Sequence, residues 1–132
     1  MITVEHLSKT YGERLAVDDI SFKIEQGEIV GFLGPNGAGK TTTMRAITGY
    51  LMPTEGEVWV ADCNMRKDPL KARQHIGYLP ETIPLYTDMT TRAYLKFAAR
   101  LRGLDSKITQ RRIDEVVDVC QLQEYCDVLT GK

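Results

Sequence analysis

The sequence has little net charge, few cysteines and no long apolar run. Its 132 residues carry 17 basic and 18 acidic side chains, which give a formal net charge of -1 at pH 7. Such a balance argues against nucleic acid or anionic lipid as a bulk electrostatic partner. The longest apolar stretches, such as residues 29–33, are far shorter than the roughly 20 residues that cross a bilayer. The N-terminus also lacks the basic flank and apolar stretch of a signal peptide.

The composition is that of an ordinary globular protein, with 42% hydrophobic and 27% charged residues. A chain of 132 residues is long enough for one domain with a hydrophobic core. The three cysteines, Cys63, Cys120 and Cys126, are odd in number and lack the spacing of a metal site. We interpret them as reduced, buried thiols of a cytosolic protein. The expected location is the cytoplasm, from which the protein would reach a membrane only as a peripheral subunit.

Two segments near the N-terminus have the pattern of half-exposed strands. Residues 2–7 form the first segment, and the second is Asp19–Glu25, where apolar and polar side chains alternate. This alternation predicts an antiparallel sheet with one covered face.

Residues 28–33 have a different pattern, because they are apolar nearly throughout. This pattern favours a strand that is covered on both faces, as in a parallel α/β sheet. The segment Lys40–Thr48 is predicted to be a helix, with Gly49 as its C-terminal cap. Two further strands are predicted at Glu57–Ala61 and Ile76–Leu79.

The pattern becomes helical after Pro84. Two successive segments place apolar residues on one helical face. The first stripe consists of Tyr94, Phe97, Ala98, Leu101 and Leu104, and the second of Ile113, Val116, Val117 and Cys120. The sequence therefore predicts an α/β fold over residues 1–85, followed by a helical block over residues 86–132.

The strongest motif lies between the apolar segment 28–33 and the first predicted helix. It fits the pattern G-x-x-x-x-G-K-[ST] at every required position. The motif consists of Gly34, Pro35, Asn36, Gly37, Ala38, Gly39, Lys40 and Thr41. Glycines let the main chain approach an anion closely, so that consecutive N–H groups can converge on a phosphate. The positive end of the helix dipole would point to the same place.

This motif, a P-loop, predicts a site for a nucleoside triphosphate together with Mg²⁺. Lys40 is expected to reach the β- and γ-phosphates, the Thr41 hydroxyl to bind Mg²⁺, and Thr42 to contact the α-phosphate. The alternative is a glycine-rich turn without a ligand. A chance match arises in under roughly one chain in a hundred of this length, and the strand before it and the helix after it make chance less probable still.

The chain resembles, over its whole length, the nucleotide-binding subunits of ATP-binding-cassette (ABC) transporters. The resemblance rests on residues 7–12, 27–43, 48–50 with 53–57, and 76–80. It implies a P-loop NTPase (RecA-like) core with an N-terminal antiparallel β subdomain, within residues 1–85, and the start of the helical subdomain in residues 86–132. It also implies ATP and Mg²⁺ as ligands, and ATP hydrolysis that drives transport through a membrane permease.

The resemblance implies roles for three residues outside the loop. Tyr11 takes the position of an aromatic residue that stacks on adenine, although a core aromatic at a strand end fits it as well. Val17 would pack beside the base, and a plain core position explains it nearly as well. Glu81 stands where most of the family has a glutamine that reaches Mg²⁺ and the attacking water. A carboxylate can also bind Mg²⁺, and the alternative is an exposed loop glutamate.

Parts of the family's catalytic machinery are missing from the sequence. The family has an apolar strand that ends in Asp and is followed by a catalytic Glu. Asp114, Glu115 and Asp118 are rejected for these roles because they lie in a helical pattern. The signature loop and the switch histidine are missing as well. We therefore expect an N-terminal fragment of a longer subunit, which binds nucleotide without turning it over, and we assign no catalytic residue.

The resemblance also implies partners. An integral-membrane permease would contact residues 82–90, where Leu85, Tyr86 and Met89 are either partner contacts or anchors of the loop. A second ATPase subunit, in a homodimer or a mixed pair, would close on the P-loop. Residues 41–44 and 47–50 resemble those of bacterial exporters of the ABC-2 type. The alternative is a non-transport ABC ATPase of translation or DNA repair, whereas a GTPase or kinase would need a base-reading motif or a lid, and neither is found.

Overall fold

A computed structural model describes residues 1–131, which divide into two compact units. The first unit is Met1–Leu79, and the second begins at Pro80. The first contains four strands and two helices, and the second contains two helices and a short 3₁₀ turn.

The first unit is built on an antiparallel sheet with strand order β2-β1-β3-β4. The strands are β1 (Ile2–Tyr11), β2 (Arg14–Ile24), β3 (Glu55–Val60) and β4 (Cys63–Asn64). The alternating patterns in β1 and β2 correctly predicted an antiparallel pair, in which Ile2 lies opposite Ile24 and Val4 opposite Phe22. Both strands are longer than predicted because the pairing continues through three register shifts to Tyr11 opposite Arg14.

Helix α1 (Lys40–Ile47) packs on this sheet and helix α2 (Pro69–Gln74) follows β4. The core between them contains Val4, Leu7, Val17, Ala46, Ile47, Val58, Val60, Met65 and Ala72. The predicted helix end is confirmed, since Gly49 has φ 72°. The Tyr50 N–H donates to the Arg45 carbonyl (2.9 Å) and the Gly49 N–H to the Ala46 carbonyl (3.2 Å). This pair of bonds is a Schellman motif, which requires a left-handed residue and so favours glycine.

Two predicted strands are wrong. Residues 28–33 and Ile76–Leu79 have irregular backbone, and Ile29 is fully exposed while Leu33 is 93% exposed. A covered strand needs neighbouring strands to pair its N–H and C=O groups, as well as layers on both faces. The described residues provide neither for these segments, although the Phe32 ring contacts the Phe22 ring (centroids 5.9 Å apart).

The second unit contains the predicted helices. Helix α3 spans Thr91–Leu101 and α4 spans Ser106–Val119, and a 3₁₀ turn follows at Gln123–Tyr125. The Thr90 side chain caps α3 by accepting from the Ala93 N–H (3.2 Å). Ile113, Val117 and Cys126 form the buried core of this unit.

The prediction of buried thiols is wrong for one cysteine. Cys126 is buried and Cys63 half-buried, but Cys120 is exposed because it follows the last residue of α4. All three are free thiols. Over residues 1–131, no helix is long and apolar enough to cross a membrane.

Candidate functional site

The glycine-rich loop leads directly into α1, as the motif predicts. Gly37 has φ 86° and Gly39, the residue before the helix, has φ 85°. Both angles lie in the left-handed region, which side chains disfavour. The Thr43 N–H donates to the Gly39 carbonyl (2.8 Å), so that the first helical turn begins at this glycine.

The loop is seated on strand β2. A Cβ atom on Gly39 would lie 2.5 Å from the Ala16 carbonyl oxygen and 3.0 Å from Val17 Cγ2. Nothing larger than glycine fits there without a shift of backbone. The contact therefore fixes the start of α1 against the sheet.

The Lys40 side chain turns back into the loop. Lys40 is half-buried as a residue, and its ammonium donates to the carbonyl oxygens of Gly34 (2.5 Å) and Pro35 (2.8 Å). The Ala38 N–H also donates to the Pro35 carbonyl (3.2 Å). The loop thus surrounds the Lys40 ammonium, and the only acceptors described for it are neutral carbonyl oxygens. A bound anion would be a stronger acceptor than these carbonyls, because it carries a full negative charge.

The N-terminus of α1 carries no compensating negative group. Its cap residue is a glycine without a side-chain hydrogen bond, and the first turn contains no acidic residue. The first N–H groups of a helix lack intrahelical acceptors and carry a partial positive charge. Together with Lys40, they make an electropositive site for a phosphate group.

The three threonines that follow Lys40 have different surroundings. Thr41 is exposed, Thr42 is half-buried and Thr43 is buried. In residues 1–131 there is no cluster of three or more His, Cys, Asp or Glu side chains that could hold a metal by itself. Mg²⁺ usually keeps several waters and binds one or two protein groups together with substrate phosphates. The exposed Thr41 hydroxyl suits a Mg²⁺ ion that arrives with phosphates.

A cleft of about 370 Å³ lies beside the loop. It is bordered by residues 15–18 of β2, by Gly37 and Ala38 of the loop, and by Phe32. Val17 is 6% exposed, belongs to the core and also lines this cleft, so both sequence interpretations fit it. The sequence did not single out Leu15, Ala16 or Asp18, because nothing in the strand pattern marks which residues meet the loop.

Tyr11 is not among the residues that line the cleft. It ends β1, is 46% exposed, and its ring has the Lys9 ammonium 5.4 Å from its centroid. This exposure excludes the core-aromatic interpretation.

The remaining predicted residues lie in the second unit. Glu81 is exposed in an irregular segment, as a loop glutamate would be. The Tyr86 ring packs edge-on against Phe97 (5.4 Å between centroids), and the carbonyls of Tyr86 and Met89 accept hydrogen bonds from Thr130. Tyr86 and Met89 therefore anchor their loop. The rejected carboxylates Asp114, Glu115 and Asp118 all lie on α4.

Known proteins resemble this chain over nearly its whole length. A protein-family model described as "ABC transporter" matches residues 17–130. The chain is 35% identical over 132 residues to a protein of Escherichia coli (strain K12) named "Probable multidrug ABC transporter ATP-binding protein YbhF". That match covers 100% of this chain but 23% of the relative.

Two solved structures have the same fold. "Structure of ATP binding subunit of ABC transporter" matches with a TM-score of 0.83 and 30% identity, over 97% of this chain and 53% of that one. A dimeric bacterial ABC transporter cassette matches with a TM-score of 0.83 and 25% identity, over 98% of this chain and 61% of that one. The predicted fold class, an α/β P-loop NTPase with an N-terminal antiparallel sheet, is confirmed.

Proposed function

The chain belongs to the ABC transporter family of ATP-binding proteins, and from that membership we propose that residues 34–42 bind the triphosphate of ATP together with Mg²⁺. The observation that supports this most directly is the Lys40 ammonium inside an uncapped, acid-free helix N-terminus. The loop N–H groups and Lys40 bind and orient the phosphates, and the Thr41 hydroxyl contributes one ligand to the metal. Mg²⁺, when bound, neutralises phosphate charge.

Titration with a fluorescent ATP analogue tests this proposal. Lys40→Ala is expected to abolish measurable binding, because it removes the cation that faces the β- and γ-phosphates. Lys71→Ala is the matched control, since Lys71 is an exposed lysine of α2 in the same unit. Unchanged affinity of Lys40→Ala would refute the assignment, and so would equal loss in both variants.

The second part of the proposal concerns turnover and assembly. The chain spans about a quarter of the relative's length, so the activity of the whole protein is inferred from the family. We propose that the chain supplies the ATP-binding half of a composite site, that a second ATPase subunit closes on it, and that a membrane permease receives the resulting motion. The multidrug relative and the dimeric cassette support this proposal, as does the resemblance to ABC-2 exporters.

Phosphate release measured on these 132 residues separates binding from hydrolysis. The sequence offers no Asp and Glu pair at the end of a buried strand, and we therefore expect binding without turnover. A rate above that of Lys40→Ala would contradict the proposed composite site while leaving the binding proposal intact.

A further inference from the structure

A second cavity lies on the antiparallel sheet of the first unit, and it shares no lining residue with the cleft beside the glycine-rich loop. Its volume is about 280 Å³, and it is lined by Thr3, Glu5, Trp59 and Asp62. Thr3 lies directly opposite Trp59 in the pairing of β1 with β3, and Asp62 lies in the turn between β3 and β4. An apolar cavity of about 150 Å³ is large enough for a benzene ring. This cavity therefore has room for a small organic molecule.

The cavity lies on the polar face of the sheet. Successive side chains of a strand point to opposite faces. Val4 and Val58 belong to the core, so Thr3, Glu5 and Trp59 share the face that points away from it. Glu5 is exposed, and a cover over this face by another part of a longer protein would take its charge out of water at a large cost. The pattern therefore favours a face that stays open to solvent.

The two carboxylates that line the cavity are not compensated by the lysines around it. Lys23, which lies opposite Thr3, pairs with Glu25 (2.7 Å). The carboxylate within ion-pair distance of Lys67 is that of Glu57 (3.9 Å). In residues 1–131, no basic group lies within ion-pair distance of either carboxylate of the cavity. The cavity is therefore electronegative.

The indole ring of Trp59 forms an aromatic wall of the cavity. The face of an aromatic ring attracts a cation within about 6 Å of its centroid, and tryptophan does so best. The Lys67 ammonium lies 5.8 Å from the centroid of Trp59, at the end of this range. Lys67 does not line the cavity. The ring thus already has a distant cation as a neighbour, and a cation inside the cavity has room to come closer.

We propose that this cavity binds a small organic cation of the class of methylated ammonium ions. The methyl groups of the cation contact the Trp59 indole, and Glu5 and Asp62 balance its charge. A metal ion does not fit this set of groups, because an indole is not a metal ligand and residues 1–131 contain no group of three or more side chains that could hold a metal. The proposal does not depend on the binding of ATP.

Tryptophan fluorescence tests the proposal, because Trp59 is the single tryptophan of the chain. Choline chloride replaces sodium chloride at constant ionic strength. The uncharged isostere of choline, a dimethylbutanol in which carbon replaces the nitrogen, is titrated in parallel. Choline is expected to change the emission of Trp59 in a saturable way, and the isostere to bind at least about tenfold more weakly.

Substitutions at the cavity test the role of its charges. Glu5→Gln and Asp62→Asn should each weaken choline about threefold, and asparagine tolerates the left-handed φ of 62° at position 62. Glu13→Gln is the matched control, since Glu13 is an exposed carboxylate in the turn between β1 and β2, outside the cavity. It should leave the affinity unchanged. Lys67→Ala should tighten binding, because it removes a positive charge that repels the ligand. Circular dichroism confirms that each variant is folded.

Four results would overturn the proposal. They are no saturable change of emission with choline, equal affinity for choline and its isostere, equal weakening by Glu13→Gln and Glu5→Gln, and weaker binding after Lys67→Ala. The first would mean that Trp59 only covers the sheet. The second would mean an apolar pocket that does not distinguish charge, and the third a general effect of the charge of the unit. The fourth would mean that Lys67 supports the cavity and does not compete for it.

Discussion

Gly39 lies against Ala16 so closely that a Cβ atom on the glycine would stand 2.5 Å from the alanine carbonyl oxygen. Two constraints therefore favour glycine at position 39, namely its left-handed φ of 85° and this close contact with β2. The contact joins the glycine-rich loop to the antiparallel sheet. It makes the position of the loop depend on the sheet.

Gly39→Ala is expected to destabilise the first unit and to abolish nucleotide binding. The left-handed backbone alone costs about 1–3 kcal/mol for a side chain, and the clash with a backbone oxygen adds to it. Urea unfolding and titration with a fluorescent ATP analogue measure the two effects. Gly12→Ala is the control, since Gly12 has φ 56° with open space around it. A free energy of unfolding that falls equally in both variants would show that the contact with Ala16 does not matter.

Tyr11→Ala is expected to weaken ATP and GTP alike. Stacking of a base on an aromatic ring contributes about 1–3 kcal/mol and does not distinguish between bases, so the affinity should fall at least fivefold. Tyr11→Phe should retain the affinity, because it keeps the ring. Tyr11→Leu separates stacking from simple apolar contact. If the Leu and Phe variants bind equally well, Tyr11 does not stack on the base.

Glu81→Gln is expected to keep or tighten ATP binding. The substitution removes a negative charge that would face the γ-phosphate, while the amide oxygen can still reach a metal. Titrations in Mg²⁺ and in excess chelator show whether the metal is involved. Glu124→Gln is the control, because it removes an exposed charge from the same unit without any predicted role at the site. A large loss of affinity in Glu81→Gln alone would exclude Glu81 from the metal position.

The conformation of the glycine-rich loop could be predicted from the sequence because its information is local. The motif at residues 34–41 specifies its own backbone angles, and the helix that follows has a start at Gly39 and an end at Gly49. The helices of the second unit could be predicted for the same reason, since their apolar faces repeat within one turn. By contrast, the contact of Gly39 with Ala16 joins residues far apart in sequence, and no local pattern encodes it.

The two wrong strands show the limit of the same reasoning. Residues 28–33 have the composition of a covered strand, but composition only states that a segment is suited to be covered. Pairing and coverage must come from other parts of a protein. Residues 1–131 provide neither pairing nor coverage for this segment, and Ile29 and Leu33 are exposed. The same applies to Leu79, which is exposed in the irregular segment 76–79.

This exposure predicts that Ile29→Lys is tolerated. Ile29 makes no buried contact to lose, so the free energy of unfolding should change by less than about 0.5 kcal/mol. Binding of the dye ANS should fall, because the substitution makes the exposed apolar patch around residue 29 smaller. Ile47→Lys is the control, since Ile47 is buried in the core and a lysine there places an unpaired charge among apolar side chains. We expect Ile47→Lys to prevent folding. If Ile29→Lys unfolds the chain as well, residues 28–33 are covered after all, and the prediction of a buried strand was right.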